Sequence, residues 1–219
     1  MTGDDSHDVI TPFQRVMQAR WIAAIYEHWW RRLGYFLASL RSFDKEMAAI
    51  LSMSRDKDTR LVLDLACGPG VFTRPLAAQS KGIVVGLDLS WPMLRHAQRM
   101  LERTRTRNVL LIRGSALRMP FADGAFSYLN CCGALHLFDQ PEVALKEMAR
   151  VLAKEGYLSI QTTIRPSRSA GLAYFLERFI RFGFFEESEL ITKLKNHGFE
   201  ILSSERHRIS YTLLAGHIS

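Results

Sequence analysis

Short apolar runs alternate with amphipathic helical patterns from Arg60 onward. The runs end at polar or glycine residues, which is typical of buried strands. The segments between them repeat apolar residues at helical spacing, and Ser90 followed by Pro92 predicts the capped start of one helix. Because strands and helices alternate, we predict a mostly parallel sheet with helices on both faces. The predicted strands are residues 60–66, 82–88, 108–114, 126–132 and 156–163.

Two regions fall outside this alternation. Residues 11–53 are helical in pattern and rich in aromatic residues, and we interpret residues 1–59 as a helical cap over the carboxyl edge of the sheet. A lid-like insertion is placed at residues 166–185, after a core at 60–165. Its apolar stripe, Leu172 to Phe184, fits a lid, part of the core or a membrane-facing helix. Residues 186–219 predict a helix capped at Gly198 and an antiparallel hairpin that completes seven strands.

Length and composition favour one domain. The chain has 219 residues, 47% of them hydrophobic, which suffices for one sizeable core. We find no apolar run long enough to span a membrane, and the polar N-terminus differs from a signal peptide, so we expect a soluble, cytoplasmic protein without stable membrane insertion. Cys67, Cys131 and Cys132 match neither a disulfide framework nor a metal site. We therefore expect reduced, packed cysteines and no metal.

The formal charge of +7 and pI near 9.6 favour an anionic partner. The densest basic stretch, residues 95–113, is typical of the solvated face and C-terminal end of one helix. Aromatic residues for base stacking are not interleaved there. We therefore do not expect nucleic acid as the partner, although an RNA or protein substrate stays an alternative.

The apolar run at residues 60–66 leads into a turn with Gly68, Pro69 and Gly70. In an open α/β sheet, ligands bind outside the carboxyl ends of the strands, where such a loop enters its helix. Asp88 follows about twenty residues beyond Gly68 and ends the next predicted strand, where a carboxylate can accept both hydroxyls of a ribose. The pattern therefore predicts a nucleoside-binding crevice.

NAD(P) and S-adenosylmethionine both fit such a crevice. A dinucleotide fold normally has a third glycine that lets the helix approach the pyrophosphate, and Thr73 stands at that position. Asp64 would repel a pyrophosphate but could meet the ammonium group of a methionine moiety, directly or through water. These residues favour S-adenosylmethionine, with S-adenosylhomocysteine as the product.

Ordered motifs along the chain resemble those of class I S-adenosylmethionine-dependent methyltransferases, in particular the ubiquinone and menaquinone biosynthesis branch. "VLDLACGPG" at residues 62–70 resembles the family's first motif, "GLDLSWPML" at 86–94 the second and "RGSALRMPFADGAF" at 113–126 the third. The match continues through residues 135–160 and the final helix and strand. The resemblance implies a three-layer Rossmann-like fold in a single methyltransferase domain.

The resemblance also implies which positions hold the cofactor. Asp64 and Gly68 would hold the methionine part, Asp88 the ribose, and Leu89 with Met93 the adenine. Ser115 stands where the family commonly has an aspartate that accepts from the adenine amino group, and its neutral hydroxyl makes a weaker bond. The remaining positions carried over are Ala66 and Gly70 in the loop, Ala116 at the adenine edge, and the backbone near Cys131 for the amino group.

Catalysis needs no strong signature, because the methyl group of a sulfonium is already activated. His136, just past the fourth predicted strand, is a candidate general base or substrate-orienting group, and it fits equally a histidine that satisfies loop backbone groups. Tyr26 and Arg31 could close the cofactor pocket from the cap, with Arg31 meeting a carboxylate. Packing of the cap is the simpler interpretation for the aromatic residues there.

The abundance of Phe and Trp in the cap and insertion predicts a small hydrophobic or aromatic substrate. The tetrapeptide typical of amino-directed nucleic-acid methylases and the Pro-Cys pair of cytosine-C5 enzymes are both missing from the sequence. A cofactor-binding protein without catalysis and a nicotinamide oxidoreductase stay as alternatives. Neither the atom that accepts the methyl group nor the oligomeric state is predicted.

Overall fold

The computed structural model describes residues 42–166 and 183–218, and a seven-stranded sheet runs through them in the order β3-β2-β1-β4-β5-β7-β6. Strands β1 to β5 pair parallel with one another, whereas β7 pairs antiparallel with both β5 and β6. This is the predicted mostly parallel sheet that ends in an antiparallel hairpin. The strands are β1 Leu61–Leu65, β2 Ile83–Asp88, β3 Val109–Arg113, β4 Phe126–Cys132, β5 Leu152–Thr163, β6 Phe199–His207 and β7 Ser210–His217.

Helices cover both faces of the sheet. On one face, Ile50 of α1 and Leu76 of α2 pack with Val62 of β1 and Tyr128 of β4. On the other face, α4 and α5 bury their apolar sides against alternate residues of β1, β4, β5 and β7. The three-layer prediction is therefore confirmed. The helices are α1 Phe43–Met53, α2 Thr73–Gln79, α3 Trp91–Thr104, α4 Pro141–Val151 and α5 Glu187–Asn196, with a 3₁₀ turn at Leu135–Leu137.

Two local predictions need correction. Ser90 is the N-cap residue of α3, but its side chain makes no capping hydrogen bond. Its backbone N–H instead donates to the carboxylate of Asp88. In β5, the strand begins at Leu152 rather than at residue 156, because Phe126 of β4 pairs with Leu152 across an irregularity in register. The turn at residues 153–156, where Glu155 has a φ of 61°, therefore lies within the strand.

Only the last part of the predicted cap is among the described residues. The α1 helix lies along a face of the sheet, and Phe43 at its start contacts Phe72, with ring centroids 6.2 Å apart. Because Phe72 follows the glycine turn, α1 begins at the carboxyl edge. The other cap residues and the predicted stripe from Leu172 to residue 182 lie outside the described residues, whereas Phe184 at the end of the stripe is half-buried. Within residues 42–166 and 183–218, no helix is long and apolar enough to cross a membrane.

Candidate functional site

The turn after β1 contains two glycines with different surroundings, since Gly68 borders open space and Gly70 is packed against a helix. Ala66, Gly68 and Gly70 all have positive φ, at 54°, 54° and 78°. A Cβ added to Gly68 would find no atom within 4 Å, whereas one on Gly70 would lie 3.2 Å from the Cβ of Ala97 in α3. Gly70 therefore lets α3 pack closely. Gly68 leaves its backbone facing open space, which is the property a ligand cradle requires.

Asp88 joins this turn to the start of α3. The backbone N–H of Gly68 donates to its Oδ2 and that of Ser90 to its Oδ1, each at 2.8 Å. A carboxylate offers about four acceptor positions, so two backbone amides do not exhaust it. Asp88 is half-buried at the end of β2. The structure thus brings Asp88 and Gly68 together at the carboxyl edge, as the sequence predicted.

Asp64 lies deeper and belongs to a buried polar chain. Its side chain is 2% exposed. Its Oδ2 accepts from the hydroxyl of Thr73 at 2.6 Å, and its Oδ1 accepts from the amide of Asn130 at 2.7 Å. Asn130 in turn accepts from the hydroxyl of Ser159 at 2.9 Å. The chain of hydrogen bonds ties α2 to β1, β4 and β5 directly beneath the glycine turn.

Thr73, Asn130 and Ser159 have roles that sequence reasoning missed. From the sequence, Thr73 indicates only that the third glycine of a dinucleotide motif is missing. In the structure it is the first residue of α2, and its hydroxyl donates a hydrogen bond to Asp64. Asn130 and Ser159 carried a signal, since each is a polar residue within an apolar strand. Buried polar side chains in strands are generally hydrogen-bonded to one another, but their partners depend on the register.

The predicted adenine positions lie on both sides of the β2 and β3 ends. Met93 is buried in α3, and Leu89 and Ser115 are half-buried. The N–H of Gly114 donates to the carbonyl of Asp88 at 3.1 Å, which holds these two chain segments side by side. The Ser115 hydroxyl accepts from the N–H of Leu117 at 3.2 Å, so it stabilises its own turn. Ala116, next to it, is half-buried and packs against the core.

Sequence reasoning also missed two side chains of α4, Glu147 and Arg150, that bind the loop between β3 and β4. The Arg150 guanidinium donates to both carboxylate oxygens of Glu147, at 2.7 and 2.9 Å, and to the carbonyls of Met119 and Phe121. Glu147 also accepts from the N–H of Met119 at 2.6 Å. The Arg150 guanidinium holds the pKa of the Glu147 carboxyl below its usual range. Two residues of α4 therefore position the loop that carries Ser115.

His136 lies in the 3₁₀ turn past β4 and is 8% exposed. Its Nδ1 is 3.3 Å from the hydroxyl of Thr162 in β5. Its backbone carbonyl accepts from the N–H of Gly183 at 3.0 Å. Burial lowers the pKa of His136 from 6.5 to about 3. The imidazole is therefore neutral at neutral pH, and it is a weak base in this environment.

Cys67, Cys131 and Cys132 are buried and form no disulfide, so they pack in the interior as predicted. Burial raises the pKa of the Cys131 thiol, and the pKa of Cys67 is raised by burial and by the charges of Asp88 and Asp64. Tyr26 and Arg31 lie outside the described residues. Across residues 42–166 and 183–218, no group of three His, Cys, Asp or Glu side chains could hold a metal ion.

Comparison with known proteins adds family information to this geometry. A profile described as a methyltransferase domain matches residues 62–156. A demethylmenaquinone methyltransferase of Thermus thermophilus is 36% identical over 126 residues, which cover 57% of each protein. An uncharacterised chloroplastic methyltransferase of Arabidopsis thaliana is 27% identical over 76% of this chain and 48% of the relative.

A solved structure supports the fold at lower identity. The SAM-dependent methyltransferase of Aquifex aeolicus aligns with a TM-score of 0.70 at 18% identity, over 91% of this chain and 99% of that one. At such identity the likeness concerns the fold alone. The chain spans about half the length of the curated relatives it matches.

Proposed function

Because the chain carries a class I S-adenosylmethionine-dependent methyltransferase domain, we propose that it transfers the methyl group of S-adenosylmethionine to a small hydrophobic or aromatic molecule. The main support for this proposal is the contact between Asp88 and the glycine turn. Asp88 accepts from the Gly68 N–H at 2.8 Å, at a position where the Gly68 backbone faces open space. A carboxylate at the end of a strand can bind a ribose, and the open glycine turn beside it leaves room for the methionine part of the cofactor.

The residues present fit the cofactor in its separate parts. Asp88 would accept from the ribose hydroxyls, and the backbone of Gly68 would approach the methionine part. Met93 and Leu89 would provide an apolar surface for the adenine beside Ser115 and Ala116. Asp64 is buried and already accepts from Thr73 and Asn130. We therefore assign its main contribution to holding the turn and helix α2 in place beneath the methionine part.

The bound cofactor would supply an activated methyl group and a neutral thioether as the leaving group. The protein then mainly aligns the acceptor atom in line with that methyl group and excludes water. In this proposal, His136 orients the acceptor. Its imidazole is neutral, so it can exchange a hydrogen bond with a hydroxyl or amine. Its lowered pKa argues against a role as a strong general base.

The proposed substrate class is supported by the names of similar proteins. Several relatives are named demethylmenaquinone methyltransferases, and the names of these proteins describe a quinone-type acceptor. The Ser115 substitution and the low basicity of His136 favour one second candidate, a protein that binds S-adenosylmethionine without catalysis. A methyltransferase and a non-catalytic binding protein would both bind S-adenosylmethionine, and only the methyltransferase would transfer the methyl group to an acceptor.

Isothermal titration of the wild-type protein with S-adenosylmethionine, S-adenosylhomocysteine, NAD and NADP tests the cofactor. Transfer of a labelled methyl group to a panel of quinols, phenols, RNA and protein then tests the acceptor. We expect binding of the two sulfur compounds only, and transfer to an apolar quinol or phenol. Binding of a nicotinamide cofactor instead would overturn the proposal.

The His136→Ala variant separates the two roles considered for this residue. An orienting role predicts a lower turnover with unchanged S-adenosylmethionine affinity. Unchanged turnover would remove His136 from the mechanism. Cofactor binding without transfer to any member of the panel would favour the non-catalytic candidate.

A further inference from the structure

The basic charge of the chain is concentrated at one end of the sheet. Residues 91–118 contain seven arginines and one acid, Glu102, a net formal charge of +6 against +7 for the whole chain. These residues form α3, the edge strand β3 and the turns beside them. All seven arginines are exposed: Arg95, Arg99, Arg103, Arg105, Arg107, Arg113 and Arg118. We call this surface the arginine edge.

Within the described part of the chain, none of the seven arginines takes part in an ion pair. Arginines elsewhere do so, since Arg60 pairs with Asp58, Arg150 with Glu147 and Arg206 with Glu187. Some basic residues elsewhere are therefore neutralised by acids, whereas all seven arginines of residues 91–118 are left without such compensation among the described residues, so positive charge accumulates on this surface. Like charges held this close repel one another, and an anionic partner would relieve that repulsion.

Exposed apolar residues occur at the same end of the molecule. Trp91, at the start of α3, is 52% exposed, and Leu110 in the edge strand is 55% exposed. The arginines of α3 follow Trp91 at intervals of four residues, as Arg95, Arg99 and Arg103, and therefore extend along one side of the helix.

We propose that the arginine edge docks the protein peripherally on an anionic lipid bilayer. Guanidinium groups bind phosphate oxygens in a bidentate manner, and tryptophan prefers the boundary between headgroups and acyl chains. RNA is the weaker fit, because Trp91 is the single aromatic residue in residues 91–118 and base stacking requires several. The inner side of α3 is buried, so the surface supports attachment and not insertion.

Docking in this orientation has a consequence for substrate supply. Trp91 follows Ser90, whose N–H binds Asp88, so the start of α3 lies next to the candidate site. The bilayer surface would then border the carboxyl edge of the sheet, where an apolar acceptor could leave the lipid. This consequence rests on the proposed function, whereas docking itself does not.

Sedimentation with lipid vesicles tests the proposal. We expect the wild-type protein to bind vesicles that contain about one third phosphatidylglycerol, not vesicles of phosphatidylcholine alone, and to dissociate at high salt. The variant Arg95→Gln/Arg99→Gln/Arg103→Gln should lose roughly a hundredfold in partitioning, at about fivefold per arginine. Trp91→Ala should lose about tenfold in partitioning and reduce any blue shift of tryptophan emission on binding, with three other tryptophans still present in the variant.

A matched variant controls for net charge. Lys146→Gln/Lys154→Gln/Lys195→Gln removes three exposed charges from α4, β5 and α5, away from the arginine edge. It should change partitioning by less than about threefold. An equal loss in both triple variants would overturn the proposal, and so would equal binding to neutral and anionic vesicles. Tighter binding to single-stranded RNA at the same phosphate concentration would overturn it in favour of a nucleic-acid surface.

The same samples separate this proposal from the proposed function. Titration with S-adenosylmethionine should give the same affinity for the wild type and both triple variants, because none of the substituted residues belongs to the candidate site. A wild-type protein that binds anionic vesicles but no S-adenosylmethionine would overturn the proposed function and support docking. The reverse result would overturn docking alone.

Discussion

Asp64 and Asp88 lie at neighbouring strand ends of the same crevice, yet their surroundings differ. Asp64 is 2% exposed and accepts from two side chains, Thr73 and Asn130. Asp88 is half-buried and accepts from two backbone amides that belong to the turn and the helix start around it. One carboxylate therefore holds elements of the fold together, and the other shapes an opening.

Two acids at similar motif positions can therefore contribute to different properties of the protein, one to its stability and the other to its affinity for a ligand. A buried carboxylate with side-chain donors contributes mainly to the free energy of unfolding, because its removal leaves those donors without acceptors. A carboxylate at an open turn contributes mainly to ligand affinity. Substitutions of four residues at the carboxyl edge, Asp64, Asp88, His136 and Ala66, test this division, and they follow in order of decreasing effect.

Asp64→Ala should lower the free energy of unfolding by about 3 kcal/mol, because the Thr73 hydroxyl and the Asn130 amide would stay buried without an acceptor. For a domain of this size, the melting temperature should fall by roughly 6 to 12 °C. Ser159→Ala, at the far end of the polar chain, should cost only about 1 kcal/mol. An unchanged melting temperature for Asp64→Ala would contradict the structural role.

Asp88→Asn should weaken S-adenosylmethionine binding by up to a hundredfold, since hydrogen bonds to a charged acceptor contribute about 1.5 to 3 kcal/mol. Its melting temperature should fall by only about 2 to 4 °C, because the single amide oxygen still accepts from one of the two backbone N–H groups and the other loses its acceptor at a half-buried position. Asp139→Asn removes an equal charge from an exposed position near the same edge and serves as the control. Calorimetric titration measures the affinities. Equal affinity in the two variants would assign Asp88 to the fold instead.

His136 should behave like Asp64, since it too is buried. Its folded-state pKa of about 3 lies below the unfolded value near 6.5, so the unfolded chain binds more protons between these limits. Stability should therefore fall as the pH decreases through this window, by about 2 kcal/mol at pH 5.

The His136→Asn variant isolates this contribution. It offers the Thr162 hydroxyl a polar partner near the position of Nδ1 but has no group that titrates. Urea denaturation of both proteins at pH 7 and pH 5 measures the difference. If both lose the same stability between these pH values, the histidine is not the cause.

Ala66→Gly should have the smallest effect. Ala66 lies between the two acids with a φ of 54°, a conformation that costs an alanine about 1 kcal/mol. Glycine removes this strain but gains freedom in the unfolded chain, so we expect a net stabilisation of about 0.5 kcal/mol. Thermal denaturation should show a small rise in melting temperature. A fall would mean that the alanine methyl group makes packing contacts that outweigh the strain.

Much of the fold followed from local sequence. Strands β1 to β4 were predicted to within one residue at each end, because apolar runs in buried parallel strands stand out against amphipathic helices. The close approach of Gly68 and Asp88 also followed, since both end adjacent parallel strands. The start of β5 was placed too late, because a residue with positive φ is tolerated within this strand when the register of its partner shifts.

Sequence patterns were therefore sufficient to predict the order of elements, the crevice and its glycine turn, since these depend on periodicity and on residues with special backbone freedom. In contrast, the hydrogen bonds of Asp64 with Thr73 and Asn130, and the contact of Arg150 with the loop of Ser115, could be known only from the three-dimensional structure. Each of these depends on which side chains meet across strands and helices distant in sequence. Such pairings are set by sheet register and helix packing, which no local pattern encodes.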